Sequence, residues 1–131
     1  MKLQANQLSS HLTKSLAPCY LVTGDEHLLV AEALDDIRES ARVRGFGMRE
    51  LHVATTGFDW GKLAASSGNL SLFAEQRIIE LRLPTGKPGR AGGQAIIELA
   101  EQSGAETLFI VTAPKLDRSA AASKWAKTLE R

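Results

Sequence analysis

The run Leu108-Phe109-Ile110-Val111, bounded by Thr107 and Pro114, constrains the fold more than any other stretch. A strand with one wet face alternates apolar and polar residues. Four consecutive large apolar side chains need cover on both faces, as in the centre of a parallel sheet with helices on each side. The preceding chain supplies matching elements. Cys19-Tyr20-Leu21-Val22-Thr23 reads as a short strand ended by Gly24. Val30, Leu34, Ile37 and Ala41 then mark one face of a helix over 26–44, with Asp35, Arg38, Glu39 and Arg42 opposite and Gly45 at its C′ position. Leu51 and Val53 alternate with Glu50 and His52 in a second strand, and Ile79, Leu81 and Leu83 alternate with Ile78, Glu80 and Arg82 in a third. Strands alternating with helices predict an α/β fold whose mostly parallel sheet is covered on both faces.

Shorter elements fill the intervals. Ala5, Leu8, Leu12 and Leu16 are spaced for a leading helix closed by Pro18. Asp59 caps a short helix through Trp60, Leu63 and Ala64. The stretch 84–93 is rich in Gly and Pro and reads as a mobile loop, followed by a helix over 94–102 with Ile96, Leu99 and Ala100 inward. A last helix from about Asp117 would bury Ala121, Trp125 and Leu129. Both tryptophans, Trp60 and Trp125, read as core.

At 131 residues and 44% hydrophobic the chain suits one domain, and with aromatics at 5% the aliphatic residues must supply most of the core. A formal charge of +1 is no footprint of a dedicated nucleic-acid binder. One cysteine, Cys19, excludes an internal disulfide, and no Cys/His cluster has zinc-like spacing. No signal-like apolar core opens the chain and no apolar run reaches the ~18 residues of a membrane span. The expectation is a cytoplasmic protein without a membrane association. The chain stops on a helical pattern with no turn signal after Arg131, as a fragment of a longer protein would.

The first strand, turn and long helix have the order of a nucleotide-binding βα unit, so Thr23–Leu29 is where a phosphate loop would lie. Such a loop needs glycines that free its N–H groups, a Lys for the terminal phosphates and a Ser/Thr for magnesium. Gly24-Asp25-Glu26-His27-Leu28-Leu29 lacks the second Gly, the Lys and the hydroxyl, and Asp25 and Glu26 would repel a polyphosphate. The Thr107–Val111 run, at the position of the strand that carries the magnesium-organising acid of P-loop ATPases, meets no carboxylate before Asp117. Gly86-Lys87 fails as a phosphate loop on spacing, since Leu81 and Pro88 stand where a Gly and a Ser/Thr belong. Lys87 and Arg90 remain able to touch a phosphate backbone or an acidic surface. His11, His27 and His52 fall on different elements, Cys19 reads as a buried inert thiol, and no catalytic triad, paired carboxylates, cofactor site or metal site is expected.

Asn69-Leu70-Ser71-Leu72-Phe73 places a Leu-Phe pair just after a Gly68-Asn69 turn signal, where a surface loop is ordinarily polar. It closely resembles the pentapeptide by which bacterial proteins dock on the DNA sliding clamp. Together with Tyr20-Leu21-Val22-Thr23-Gly24 leading into Leu28-Leu29, and Leu108-Phe109-Ile110-Val111 leading into Lys115-Leu116, it makes nearly the whole chain similar to the amino-terminal domain of the delta subunits of bacterial DNA polymerase III clamp loaders.

That resemblance implies a RecA-like AAA+ module over 1–131 that has lost its nucleotide site, with the family's lid and collar domains absent from this stretch. It implies a non-catalytic subunit of a DNA-polymerizing holoenzyme. Its partners would be the sliding clamp (the beta subunit), the gamma/tau and delta prime subunits, and DNA indirectly through the complex. Leu72 and Phe73 would enter a hydrophobic pocket on the clamp, with Leu70 beside them and Ser71 orienting the backbone. Asn69 departs from the Gln usual in linear clamp-binding peptides. Three alternatives stand beside this reading. Leu70, Leu72 and Phe73 are simply core; the chain is another inactive AAA+ subunit such as delta prime, where zinc-ligand cysteines would be expected; or it is a small nucleotide-binding enzyme.

Overall fold

The computed structural model describes residues 8, 11, 12, 14–55, 57–63, 76–104 and 106–130. In chain order these form β1 (Cys19–Thr23), α1 (His27–Val43), β2 (Met48–Val53), β3 (Arg77–Arg82), α2 (Gly89–Gln102), β4 (Thr107–Ala113), α3 (Arg118–Ala121) and α4 (Lys124–Leu129). The four strands make one sheet in the order β1-β4-β3-β2. Every pairing is parallel. After β1 the chain crosses to the far edge as β2, then steps back through β3 to β4, which is therefore enclosed by neighbours on both sides. Among the described residues no helix is long and apolar enough to cross a membrane.

The two faces of the sheet bury separate cores. Tyr20, Ile78, Leu108 and Ile110 point to one face and pack with Leu34, Ile37 and Ala41 of α1 and with Leu12 and Phe46. Cys19, Ile79, Leu81, Phe109 and Val111 point to the other, against Ile96, Ile97 and Leu99 of α2, Trp125, Ala126 and Leu129 of α4, and Leu63. The alternation along β4 sends Leu108 and Ile110 one way and Phe109 and Val111 the other, and all four are 0% exposed. Burying four such side chains contributes on the order of 6–12 kcal/mol before entropy, which is why a continuous apolar run belongs at this position.

One charge lies inside this packing. Glu80 of β3 is 2% exposed on the α1 face. Arg38 of α1 meets it with two donors, Nη2 to Oε1 at 2.5 Å and Nε to Oε2 at 3.2 Å, and Arg49 of β2 brings its Nε to 3.3 Å. A buried carboxylate without such partners would carry a large desolvation cost. The pair therefore fixes where α1 sits over the sheet and marks the limit of its cover.

Three sequence expectations change. The stretch 84–93 is not a loop throughout: α2 begins at Gly89, and Gly92 and Gly93 are buried within it. Their lack of a side chain is a packing device, because a Cβ on Gly92 would stand 2.5 Å from Cζ2 of Trp60. The last helix is two short ones, α3 and α4, broken at Ser123, whose Oγ donates to the Ala120 carbonyl. Ala121 consequently lies exposed rather than buried. On β2, Leu51 and Val53 face solvent at 48% and 36% exposure while Glu50 and His52 are half-buried. Alternation identifies a strand but not its inner face. Here β2 lies at the sheet edge beyond the Arg38–Glu80 contact, and its other face is closed by Phe58.

Candidate functional site

Asn69, Leu70, Ser71, Leu72 and Phe73 lie outside the described residues, as does Ala64. The chain on either side of them is anchored. Upstream, Asp59 Oδ1 accepts the Gly61 N–H at 2.9 Å and opens the helical turn 60–63. Phe58 and Trp60 meet edge to face at 4.9 Å, and Leu63 is 0% exposed in the core on the α2 face. Downstream, the Arg77 N–H donates to the Glu106 carbonyl at 3.0 Å, locking the first residue of β3 beside the start of β4. Because all strands are parallel, Arg77 stands at the amino edge of the sheet.

Beside Arg77, on the α2 face of β2 and β3, lies a small polar group. Arg77 Nη1 is 3.8 Å from Glu50 Oε1, and His52 Nε2 is 3.5 Å from Glu50 Oε2. Glu50 Oε2, His52 Nε2 and Arg77 Nη2 are buried with no hydrogen-bond partner among the described residues. His52 also packs edge to face on Phe58, at 6.2 Å. Nothing in the sequence beyond alternation pointed to this group, since it depends on β2 turning its polar residues inward.

The carboxyl edge of the sheet, where open α/β folds bind ligands, holds a cavity of about 490 Å³ between the ends of β1, β3 and β4 and the start of α1. Its walls include Gly24, Asp25, His27, Val30, Arg82 and Pro114. The loop after β1 is tied down: the Gly24 N–H donates to the Ala113 carbonyl at 3.2 Å, and Asp25 Oδ1 accepts the Lys115 N–H at 3.1 Å. The Asp25 carboxylate thus stitches the β1 loop to the β4 loop. Gly24, with φ +153°, makes the turn a side chain would resist.

The remaining sequence candidates are scattered. Tyr20 Oη accepts the Ala17 N–H at 2.8 Å and is hydrogen-bonded to His11 Nε2 at 2.7 Å. Burial, reinforced by nearby positive charge including that of Arg44, lowers the His11 pKa. His27 lines the cavity, and His52 belongs to the group beside Arg77. Cys19 is buried, and burial raises its thiol pKa, as for an unreactive thiol. Among the described residues no cluster of His, Cys, Asp and Glu is arranged to hold a metal ion.

Comparison with known proteins bears on the whole of this arrangement. The family model described as DNA polymerase III, delta subunit, matches residues 20–131. DNA polymerase III subunit delta of Escherichia coli K12 is 27% identical over 129 residues, covering 98% of this chain and 38% of that protein. The subunit delta of Haemophilus influenzae is 29% identical over 127 residues, covering 95% of this chain and 36% of that protein. The chain spans a little over a third of the length of these curated relatives.

Proposed function

Because the chain belongs to the DNA polymerase III delta subunit family, we propose that it is the clamp-binding module of a clamp-loader subunit acting in replication. The observation that carries this reading is the family match over residues 20–131, which encloses Leu70-Ser71-Leu72-Phe73 between an anchored helical turn and an anchored strand. Leu72 and Phe73 enter an apolar pocket on the sliding clamp, Leu70 packs beside them, and Asn69 and Ser71 orient the backbone. Two such side chains fully buried are worth roughly 3–6 kcal/mol before ordering costs, enough to anchor a modest interface.

The module acts by binding energy and not by catalysis. It favours the opened ring to the extent that it binds that form more tightly than the closed one. The sheet belongs to a RecA-like AAA+ module with a degenerate nucleotide site. Two features support this: the β1-β4-β3-β2 order, and a β1 loop in which Asp25 contacts Lys115 where a phosphate loop would present N–H groups to an anion. The gamma/tau and delta prime subunits complete the loader, DNA is met through that complex, and the setting is the cytoplasm.

Leu72→Ala/Phe73→Ala tests the plug. Binding to purified sliding clamp falls at least 100-fold while the circular dichroism spectrum and melting temperature stay those of the parent chain. A variant that melts early marks the pair as core and removes the proposal. A fluorescent ATP analogue tests the second element: saturable, magnesium-dependent binding would restore a nucleotide site and overturn the degenerate one.

A further inference from the structure

β2 turns its side chains the opposite way from an ordinary edge strand. Leu51 and Val53 face solvent, while Glu50 and His52 pack inward beside Arg77, whose side chain is only 12% exposed. A one-residue shift in pairing would bury the aliphatic pair instead. The register is pinned against that shift where the Ala54 N–H donates to the Arg82 carbonyl at 2.9 Å. The inward group adds little stability. Glu50 Oε2, His52 Nε2 and Arg77 Nη2 are buried without hydrogen-bond partners among the described residues, a desolvation cost that aliphatic side chains would not carry. Residues that break a local rule at the expense of stability are expected where function requires them.

The position of the group suggests that requirement. Arg77 opens β3 and stands four residues after Phe73. Its Nη1 lies 3.8 Å from Glu50 Oε1. Glu50 Oε2 lies 3.5 Å from His52 Nε2, and the His52 ring meets Phe58 edge to face at 6.2 Å. Phe58 in turn meets Trp60 edge to face at 4.9 Å, in the helical turn that leads to Leu63. One carboxylate on β2 thus contacts the downstream anchor of the 64–76 stretch directly and reaches the upstream anchor through two rings.

The geometry points to Glu50 as a positioning residue for the clamp-docking residues 69–73. By holding Arg77 and, through His52, Phe58 in a fixed relation, it sets the separation and direction of the two anchors between which Leu72 and Phe73 are presented. The inference rests on the clamp-binding reading and deepens it. Fixing both ends of a segment before it binds lowers the conformational entropy lost on docking. A charged pair in a half-buried place is suited to this because it favours one arrangement of its partners, which interchangeable aliphatic contacts do not.

The test is calorimetric titration of purified sliding clamp with the parent chain, Glu50→Gln, Arg77→Lys and Arg77→Met, beside a free peptide carrying Asn-Leu-Ser-Leu-Phe. Glu50→Gln and Arg77→Met are expected to weaken binding by about tenfold, toward the affinity of the free peptide, with unchanged stoichiometry. Arg77→Lys keeps the charge and is expected to stay within about threefold of the parent, since the contact runs through a single nitrogen. Stoichiometry counts the folded chain, so a variant that merely unfolds lowers it and leaves the affinity of the remainder alone. Parent-like affinity in Glu50→Gln, equal losses in Arg77→Lys and Arg77→Met, or falling stoichiometry at parent affinity would each overturn the positioning role while the plug reading stands. The plug reading fails separately, if the parent chain does not bind or if Leu72→Ala/Phe73→Ala binds as the parent does, and either result removes this inference with it.

Discussion

Adjacent glycines in α2 should respond to alanine with opposite signs. In a helix interior Gly→Ala stabilises by about 0.8–1 kcal/mol through backbone entropy, provided the new methyl has room. At Gly93 a Cβ would stand 3.4 Å from Cδ1 of Trp125, ordinary contact. At Gly92 it would stand 2.5 Å from Cζ2 and 2.7 Å from Cε2 of Trp60, and 2.8 Å from Cβ of Pro88. Relief there requires moving an indole held edge to face on Phe58, or the proline preceding the helix. Overpacking of this kind costs about 1–3 kcal/mol. Gly93→Ala is therefore expected to stabilise by about 0.5–1 kcal/mol, and Gly92→Ala to destabilise by about 1 kcal/mol after the helix gain is subtracted. With roughly 3–6 °C per kcal/mol for a chain of this size, thermal unfolding followed by circular dichroism resolves the two. If Gly92→Ala raised the melting temperature as much as Gly93→Ala, α2 would not pack against Trp60 as described.

Arg38→Met leaves Glu80 buried with Arg49 as its remaining charged partner, and urea unfolding at neutral pH should show a loss of about 3 kcal/mol; a loss below about 1 kcal/mol would mean that water already reaches Glu80. The lowered pKa of His11 means that the unfolded chain binds a proton more readily than the folded one. Its contribution is full above the ordinary value of 6.5 and is lost as pH falls through the lowered folded value. His11→Gln should flatten stability between about pH 7 and pH 5 relative to the parent, and unchanged curvature in that window would contradict the lowering of the His11 pKa by burial. Cys19 should label with a thiol reagent at the rate of global unfolding, as measured across a urea series, whereas prompt labelling in native buffer would contradict its burial.

Much of the fold was legible because its signals are local. Leu108 to Val111 announced a central strand, and the spacing of Leu34, Ile37 and Ala41 gave both α1 and the face it buries. What sequence could not supply was set by partners distant in the chain. The start of α2 depends on Trp60 and Trp125 needing space that Gly92 and Gly93 leave open, so residues that locally signal a loop sit inside a helix. The inward turn of Glu50 and His52 depends on β2 being an edge strand, a matter of topology. Ser123 interrupts the last helix through a hydroxyl–carbonyl bond that an apolar periodicity passes over. At the candidate site, the sequence offered the Gly24–Leu29 residue types but not their contacts. The Asp25–Lys115 stitch became visible when β1 and β4 were placed side by side.

The claim that residues 69–73 seat this chain on a sliding clamp is tested most directly by calorimetric titration of the purified chain with purified clamp, with and without a competing peptide carrying Asn-Leu-Ser-Leu-Phe. The account predicts saturable binding that the peptide displaces and that a peptide with alanine in place of its Leu-Phe pair leaves untouched. A folded chain that does not bind the clamp, or binding that neither peptide displaces, would contradict it.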